Sequence, residues 1–192
     1  MADEAWLKRA AAGWLPSWAE ATSSRKEHMA RVGRVMEDWA VRSGLDALER
    51  MRWTAAGWLH DALRDAPAEH MEPWVMPPFD ALDSSFWHGP ATAERLAADG
   101  VEEPALLDAI RYHTMGQAGL APVGRALIAA DFLEPGRPRH QEWRASLRKR
   151  APGAMDEVVL EVLKAKVDRA LGRRQPVRPE MIAMWNELTD EA

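Results

Sequence analysis

The apolar residues of this chain recur every three or four positions, and no window alternates Val, Ile and Thr as a half-buried strand does, so the spacing admits helices and little else. Ser24-Arg-Lys-Glu27 has the form of a capping box ahead of the stripe His28, Val32, Val35, Trp39, and that helix is expected to end near Gly44. Asp46-Ala-Leu-Glu49 opens a second helix through Trp53 and Ala56 to His60-Asp61, limited by Pro67. Five prolines between Ala66 and Pro90 predict short helical turns and loops. Beyond them, Pro90 or a neighbour starts a helix ending around Asp99-Gly100, Glu103-Pro104 starts another reaching Thr114, and Pro122 opens one that Pro135-Gly136 closes. Helices over 141–150, 155–171 and 179–188 complete the reading. The expected fold is all-α: a single orthogonal helical bundle, with residues 1–192 as one domain.

Composition narrows the function. At 192 residues and 47% apolar, the chain can build a core of useful size. The absence of cysteine excludes disulfides, thiolate zinc sites, iron–sulfur clusters and a cysteine nucleophile, leaving His and carboxylate as the ligands for any metal. With 25 basic against 30 acidic residues, net −5, general affinity for nucleic acid is not expected. No apolar run approaches the roughly 20 residues that span a bilayer, so no membrane partner is expected. The acidic start, Met1-Ala-Asp-Glu, is unlike a secretory leader, and a cytoplasmic location is expected.

The chemical signal lies in four of the six histidines and two aspartates: His28, His60-Asp61, His88, His113 and Asp131. Successive positions are 18 to 32 residues apart, about a helix and its return, so each falls on a different element. His28 heads the stripe Val32, Val35, Trp39; His60 continues Trp53 and Ala56; His113 continues Leu106 and Ile110; Asp131 continues Val123 and Leu127. All four therefore point inward. One inward histidine is ordinarily a hydrogen-bonded core residue. Several on successive helices, together with carboxylates that are costly to bury alone, describe the neutral nitrogen and anionic oxygen donors of a divalent ion. His70 and His140 lie in loop contexts and are read as ordinary.

Histidine in a first helix, adjacent His-Asp, and a later Asp resemble the signature of HD-domain phosphohydrolases, and the fuller text is similar to the YqeK family among them. The matching strings are Phe86-Trp-His-Gly-Pro90, Leu107-Asp-Ala-Ile-Arg-Tyr-His-Thr114 and Ala130-Asp-Phe-Leu-Glu-Pro-Gly-Arg137, with Arg174-Gln-Pro-Val-Arg-Pro-Glu180 and Met184-Trp-Asn186 at the last helix. The resemblance runs from about His28 to Asn186. It implies a dinuclear metal hydrolase that cleaves diadenosine tetraphosphate symmetrically into two ADP. It further implies His28, His60, Asp61 and Asp131 as ligands of one ion, and His88 and His113 with bridging Asp61 as ligands of the other. His60 and Asp61 are then the catalytic pair. Iron is the metal the resemblance implies, and manganese, nickel, cobalt or zinc would suit the same donors. After His-Asp this chain reads Ala62-Leu63-Arg64 where the family usually has an aromatic, an alanine and a lysine, and the loop beyond Arg137 is shorter.

A polyanionic dinucleoside polyphosphate and an acidic protein require a local basic mouth. Arg137, in the Pro-Gly loop after the Asp131 helix, and Arg64 are the expected phosphate contacts, with Thr114 as a hydroxyl partner and Trp87 as a pocket wall. Arg111, two positions before His113, faces away and is expected in a structural ion pair. The alternatives are an HD phosphohydrolase acting on another nucleotide, a mononucleotide or deoxynucleoside triphosphate, and a non-catalytic, metal-stabilised HD binding or regulatory protein.

Overall fold

The structure, a computed structural model, describes residues 2–190. These form ten α-helices and, among the described residues, no strand: α1 (Ala2–Ala11), α2 (Ser23–Arg42), α3 (Ala47–Leu59), α4 (Ala68–Met71), α5 (His88–Ala98), α6 (Pro104–Tyr112), α7 (Pro122–Leu133), α8 (Gln141–Arg150), α9 (Met155–Gly172) and α10 (Pro179–Asp190). The all-α expectation holds. The proline-rich stretch after α3 becomes α4 and three 3-10 turns, Glu72–Trp74, Phe79–Ala81 and Ser84–Phe86. No helix among the described residues is long and apolar enough to cross a membrane.

One start differs from expectation. α2 is capped by Thr22 rather than by the Ser24–Glu27 box: the Thr22 hydroxyl accepts from Arg25 N at 3.3 Å and itself donates to Asp65 Oδ2 at 2.8 Å. A tertiary partner fixes the cap two residues earlier than local sequence alone selects. α5 begins at His88, with Pro90 in its first turn. α1 was not anticipated; its Leu7 and Ala10 reach the core, Trp6 packs against it, and the helix lies along α3. The Asp46 cap of α3 forms as expected, accepting from Glu49 N at 2.9 Å.

α7 is the axis. Val123, Ala126, Leu127, Ile128, Ala129, Ala130 and Leu133 are buried on it, and it touches α2, α3, α6, α8 and α9. A surrounded helix needs this all-round apolar text. A smaller cluster, built on Leu63, Met71, Val75, Phe79, Ala91 and Met115, packs the irregular stretch against the start of α5.

Two close approaches place the histidines. Where α2 crosses α3, a Cβ on Gly57 would stand 2.6 Å from Gly33 Cα, so only glycine lets the backbones touch there. His60 lies three residues after Gly57, and the His28 and His60 rings come to 5.3 Å between centroids. Where α5 meets the end of α6, a Cβ on Gly89 would stand 2.8 Å from the Ile110 carbonyl oxygen, and the His88 and His113 rings lie 5.0 Å apart.

Candidate metal centre

The four imidazoles converge with their Nε2 atoms inward. Each Nδ1 faces an acceptor behind it: Gly57 O at 2.9 Å for His60, Ile110 O at 2.7 Å for His113, Ser85 O at 3.2 Å for His88, and Glu134 Oε1 at 3.2 Å for His28. Nδ1–H donates in each neutral ring, which leaves the Nε2 lone pairs for the centre.

Asp61 sits between them with its two oxygens facing different pairs. Oδ2 lies 3.7 Å from His28 Nε2 and 3.5 Å from His60 Nε2, whereas Oδ1 lies 3.5 Å from His88 Nε2 and 3.6 Å from His113 Nε2. Asp131 Oδ1 stands on the His28 side, 3.1 Å from His28 Nε2 and 4.0 Å from His60 Nε2. Two donors bound at about 2.0–2.1 Å to one ion stand about 3.0–3.4 Å apart, so these separations are close to those a metal imposes. His28, His60 and Asp131, and likewise His60, Asp61 and His113, place their donor atoms within 4.8 Å of one another.

The buried polar atoms give an independent test of fit. His28 Nε2 and His60 Nε2 are buried without a hydrogen bond, the first despite its short but misaligned approach to Asp131. His88 Nε2 faces His113 Nε2 at 3.2 Å, two lone pairs opposed. A hydrogen-bonded core would not leave two such orphans beside an opposed pair of ring nitrogens, and a cation satisfies all of them. The donor set fits a divalent ion.

Burial pushes His60 down to about 4, and burial with the neighbouring His113 pushes His88 down to about 3, so both stay neutral. Burial also opposes charge on His28, yet Asp131 and Glu134 beside it raise its pKa to about 9. Asp61 is held well below the usual carboxylate range against its burial, by His60 first and then His113 and His88. Asp131 is likewise held down by His28 and His60, and Glu134 lies at about 2 through His28, Arg31 and the Gly136 N–H.

Every expected ligand is therefore brought to one place. The expected substrate contacts fare differently. Arg64 is exposed just after His60-Asp61 and forms no ion pair among the described residues, while its charge reaches His88. Thr114 Oγ1 lies 3.2 Å from His88 Nε2 and 3.1 Å from His113 Nε2, inside the centre itself. Arg137 overlies the site, but its guanidinium is engaged: Nη2 donates to Asp131 Oδ1 at 2.7 Å and to Asp131 O at 3.0 Å, leaving Nη1 without a partner among the described residues. Trp87 donates its indole N–H to Phe79 O at 3.0 Å and packs against the smaller core cluster, where the expectation was a pocket wall. Arg111 pairs with Glu94 at 2.8 Å, as its helical position predicts. His70 pairs with Glu20 on the surface, and His140 precedes α8.

Three participants escaped the sequence reading. Glu134 is buried and ties His28 to Arg31, whose Nε donates to it at 2.7 Å. Arg25 donates to Asp61 Oδ2 at 2.6 Å. Lys166, on α9, donates to the Thr114 carbonyl at 3.2 Å. A signal existed for two of them: Arg25 is one helical turn before His28, and Glu134 one turn after Asp131.

An all-α bundle with inward histidines and an adjacent His-Asp defines a class. The chain superimposes with a TM-score of 0.75, at 22% identity over 88% of this chain and 91% of the other, on a Clostridium acetobutylicum protein described as a predicted HD superfamily hydrolase involved in NAD metabolism, so the fold is that of HD superfamily hydrolases. In sequence the chain is similar to enzymes named symmetrical bis(5'-nucleosyl)-tetraphosphatase. It is 29% identical to the one from Bacillus subtilis, over 87% of this chain and 90% of that protein, and 25% identical to the one from Halalkalibacterium halodurans over the same shares. No family model matches the chain.

Proposed function

We propose that this chain is a metal-dependent phosphohydrolase that cleaves diadenosine tetraphosphate symmetrically into two ADP. The observation that carries the reading is the split Asp61 carboxylate, one oxygen toward His28 and His60 and the other toward His88 and His113. That arrangement suits two ions, one held by His28, His60, Asp61 and Asp131 and the other by His88, His113 and Asp61. Iron is the metal of this reading, and manganese, cobalt, nickel or zinc fits the donors equally. Such a pair, when bound, supplies a Lewis acid for a phosphoryl oxygen and lowers the pKa of a water.

The chain's own residues do the rest. The Nδ1–H bonds fix each ring so that its Nε2 holds position, and Arg25 and Arg137 keep Asp61 and Asp131 ionised and oriented. His60 and His88 remain neutral donors at physiological pH. Arg64, the free Nη1 of Arg137 and Lys166 offer positive charge to the polyphosphate, and the Thr114 hydroxyl is placed to donate to a phosphoryl oxygen. Symmetric cleavage adds the oxygen of water to one central phosphorus and breaks its bond to the bridging oxygen, which leaves with the second ADP. No side-chain nucleophile is needed, and Asp61 and His60 act by holding the centre. The reading treats the chain as one domain, working in the cytoplasm.

Chromatography of the products tests it. Diadenosine tetraphosphate should give ADP alone. AMP with ATP would exclude symmetric cleavage, and consumption of a mononucleotide with the dinucleotide untouched would transfer the site to another substrate.

A further inference from the structure

A cavity of about 420 Å³ opens beside the His88–His113 half of the centre. That volume is within the roughly 300–1,000 Å³ of small-molecule sites. Thr114 forms its inner wall. The Thr114 hydroxyl touches His88 and His113 Nε2, and its carbonyl accepts from Lys166, which also lines the cavity. The ammonium group spends one of its three protons on that carbonyl, which leaves two for an anion lying between the cavity and the centre. The rest of the lining includes an aromatic ring and a guanidinium. Phe86 presents its ring beneath the Arg178 guanidinium, 5.7 Å from the ring centroid, with Gln175 and Met181 around them. Arg178 is itself steadied by Glu180 at 3.2 Å.

The other flank of the centre differs. The cavity there, about 270 Å³, is lined by Arg25, His28, Arg31, Glu134 and Arg137 and has no Phe, Tyr or Trp in its lining. Three arginines in its lining suit it to phosphate.

We propose that the cavity beside Thr114 is the nucleobase subsite, taking the adenine of one ADP half against Phe86 and Arg178 while Lys166 meets the phosphates leading to the centre. The assignment rests on the proposed activity for the identity of its ligand. An aromatic face paired with a guanidinium plane stacks on any base. The Gln175 amide offers both a donor and an acceptor to the base edge, which adenine presents together. A substrate with two identical halves thus meets two unlike flanks: one half is read through its base and the other through its charge.

The experiment compares the affinities of ADP and pyrophosphate for the purified, metal-loaded protein by calorimetry. The ratio isolates what the nucleoside adds. The unsubstituted protein should bind ADP more tightly. Phe86→Ala should shrink the ADP-to-pyrophosphate ratio by about 5- to 150-fold, the range for loss of one base–aromatic stack. Phe86→Trp should restore it, and Arg178→Ala, which leaves the ring in place, should lower it as well. Equal affinities in the unsubstituted protein, or an unchanged ratio in both alanine variants, overturns the assignment. If the unsubstituted protein prefers ADP through Phe86 yet leaves diadenosine tetraphosphate intact, the proposed activity falls and the subsite stands. If it cleaves the dinucleotide with no preference for ADP, the reverse holds.

Discussion

Gly57→Ala should damage the centre more than it damages the fold. A Cβ at this position meets Gly33 Cα at 2.6 Å, Gly33 N at 2.7 Å and Val32 C at 3.0 Å, all backbone atoms that no rotamer change can move. Carbon atoms rest about 3.5–4.0 Å apart, so α2 and α3 must separate by on the order of 1 Å. Overpacking of this kind costs about 1–3 kcal/mol, and alanine in a helix interior returns about 0.8–1.0 kcal/mol relative to glycine. The net loss is about 0–2 kcal/mol, which lowers Tm by at most several degrees in a chain of this size. His28 and His60 ride on the two helices, however, and metal–donor distances tolerate only about 0.2 Å. A displacement of about 1 Å can cost about 100-fold in rate. The measurements are Tm by thermal denaturation, metal per chain by atomic emission, and turnover. Gly33→Ala is the comparison, because its Cβ meets the Trp58 indole at 2.9 Å, a side chain that can turn aside, and its loss should be smaller. A Gly57→Ala protein with raised Tm and full metal content would refute the reasoning, since the crossing would then have room to spare.

Asp61→Ala removes the carboxylate common to both halves of the centre, so metal content and turnover should fall together, and a fully loaded variant would contradict the bridging role. Glu134→Gln keeps the shape behind His28 but weakens its acceptor; metal affinity should drop about 10- to 100-fold in a metal titration, and an unchanged affinity would remove Glu134 from the centre. In metal-free protein the pKa of His28, raised to about 9, contributes stability that is complete below about 6.5 and lost as pH rises to 9. His60 and His88, kept neutral down to about 4 and about 3, act in the opposite sense: below 6.5 the unfolded chain takes up protons that the folded one refuses. The denaturation midpoint of the metal-free protein should therefore peak near pH 6.5, and a midpoint still rising between pH 7 and 9 would contradict the His28 assignment.

Much of this was legible because helices announce themselves through spacing and punctuation. The Asp46 cap, the Pro104 and Pro122 starts and the inward positions of His60, His113 and Asp131 all follow from local text. What escaped depends on contacts across the fold. Thr22 caps α2 because Asp65 holds it, 43 residues away. Arg137 looked free in its loop, but the loop returns its guanidinium to Asp131, and Trp87 proved to be tied to Phe79.

The histidines show where the boundary between local and distant lies. His60 and His113 stand at the C-caps of α3 and α6, and His88 follows a 3-10 turn; each sends Nδ1 to the carbonyl three residues earlier, at Gly57, Ile110 and Ser85. A helix that ends leaves its last carbonyls without backbone donors, so the residue at the cap finds an acceptor within its own turn. The tautomer and direction of these three rings are thus written beside them, and a helix stop signal next to a histidine is enough to read them. His28 has no such option. It lies inside α2, where the neighbouring carbonyls already accept from the helix ladder, and its Nδ1 must find an acceptor elsewhere. Glu134, 106 residues on and at the end of α7, supplies it. One histidine of the four therefore depends on a distant carboxylate, which together with Asp131 raises its pKa, and that dependence makes α7 deliver two acids to the centre, Asp131 to face Nε2 and Glu134 to hold Nδ1.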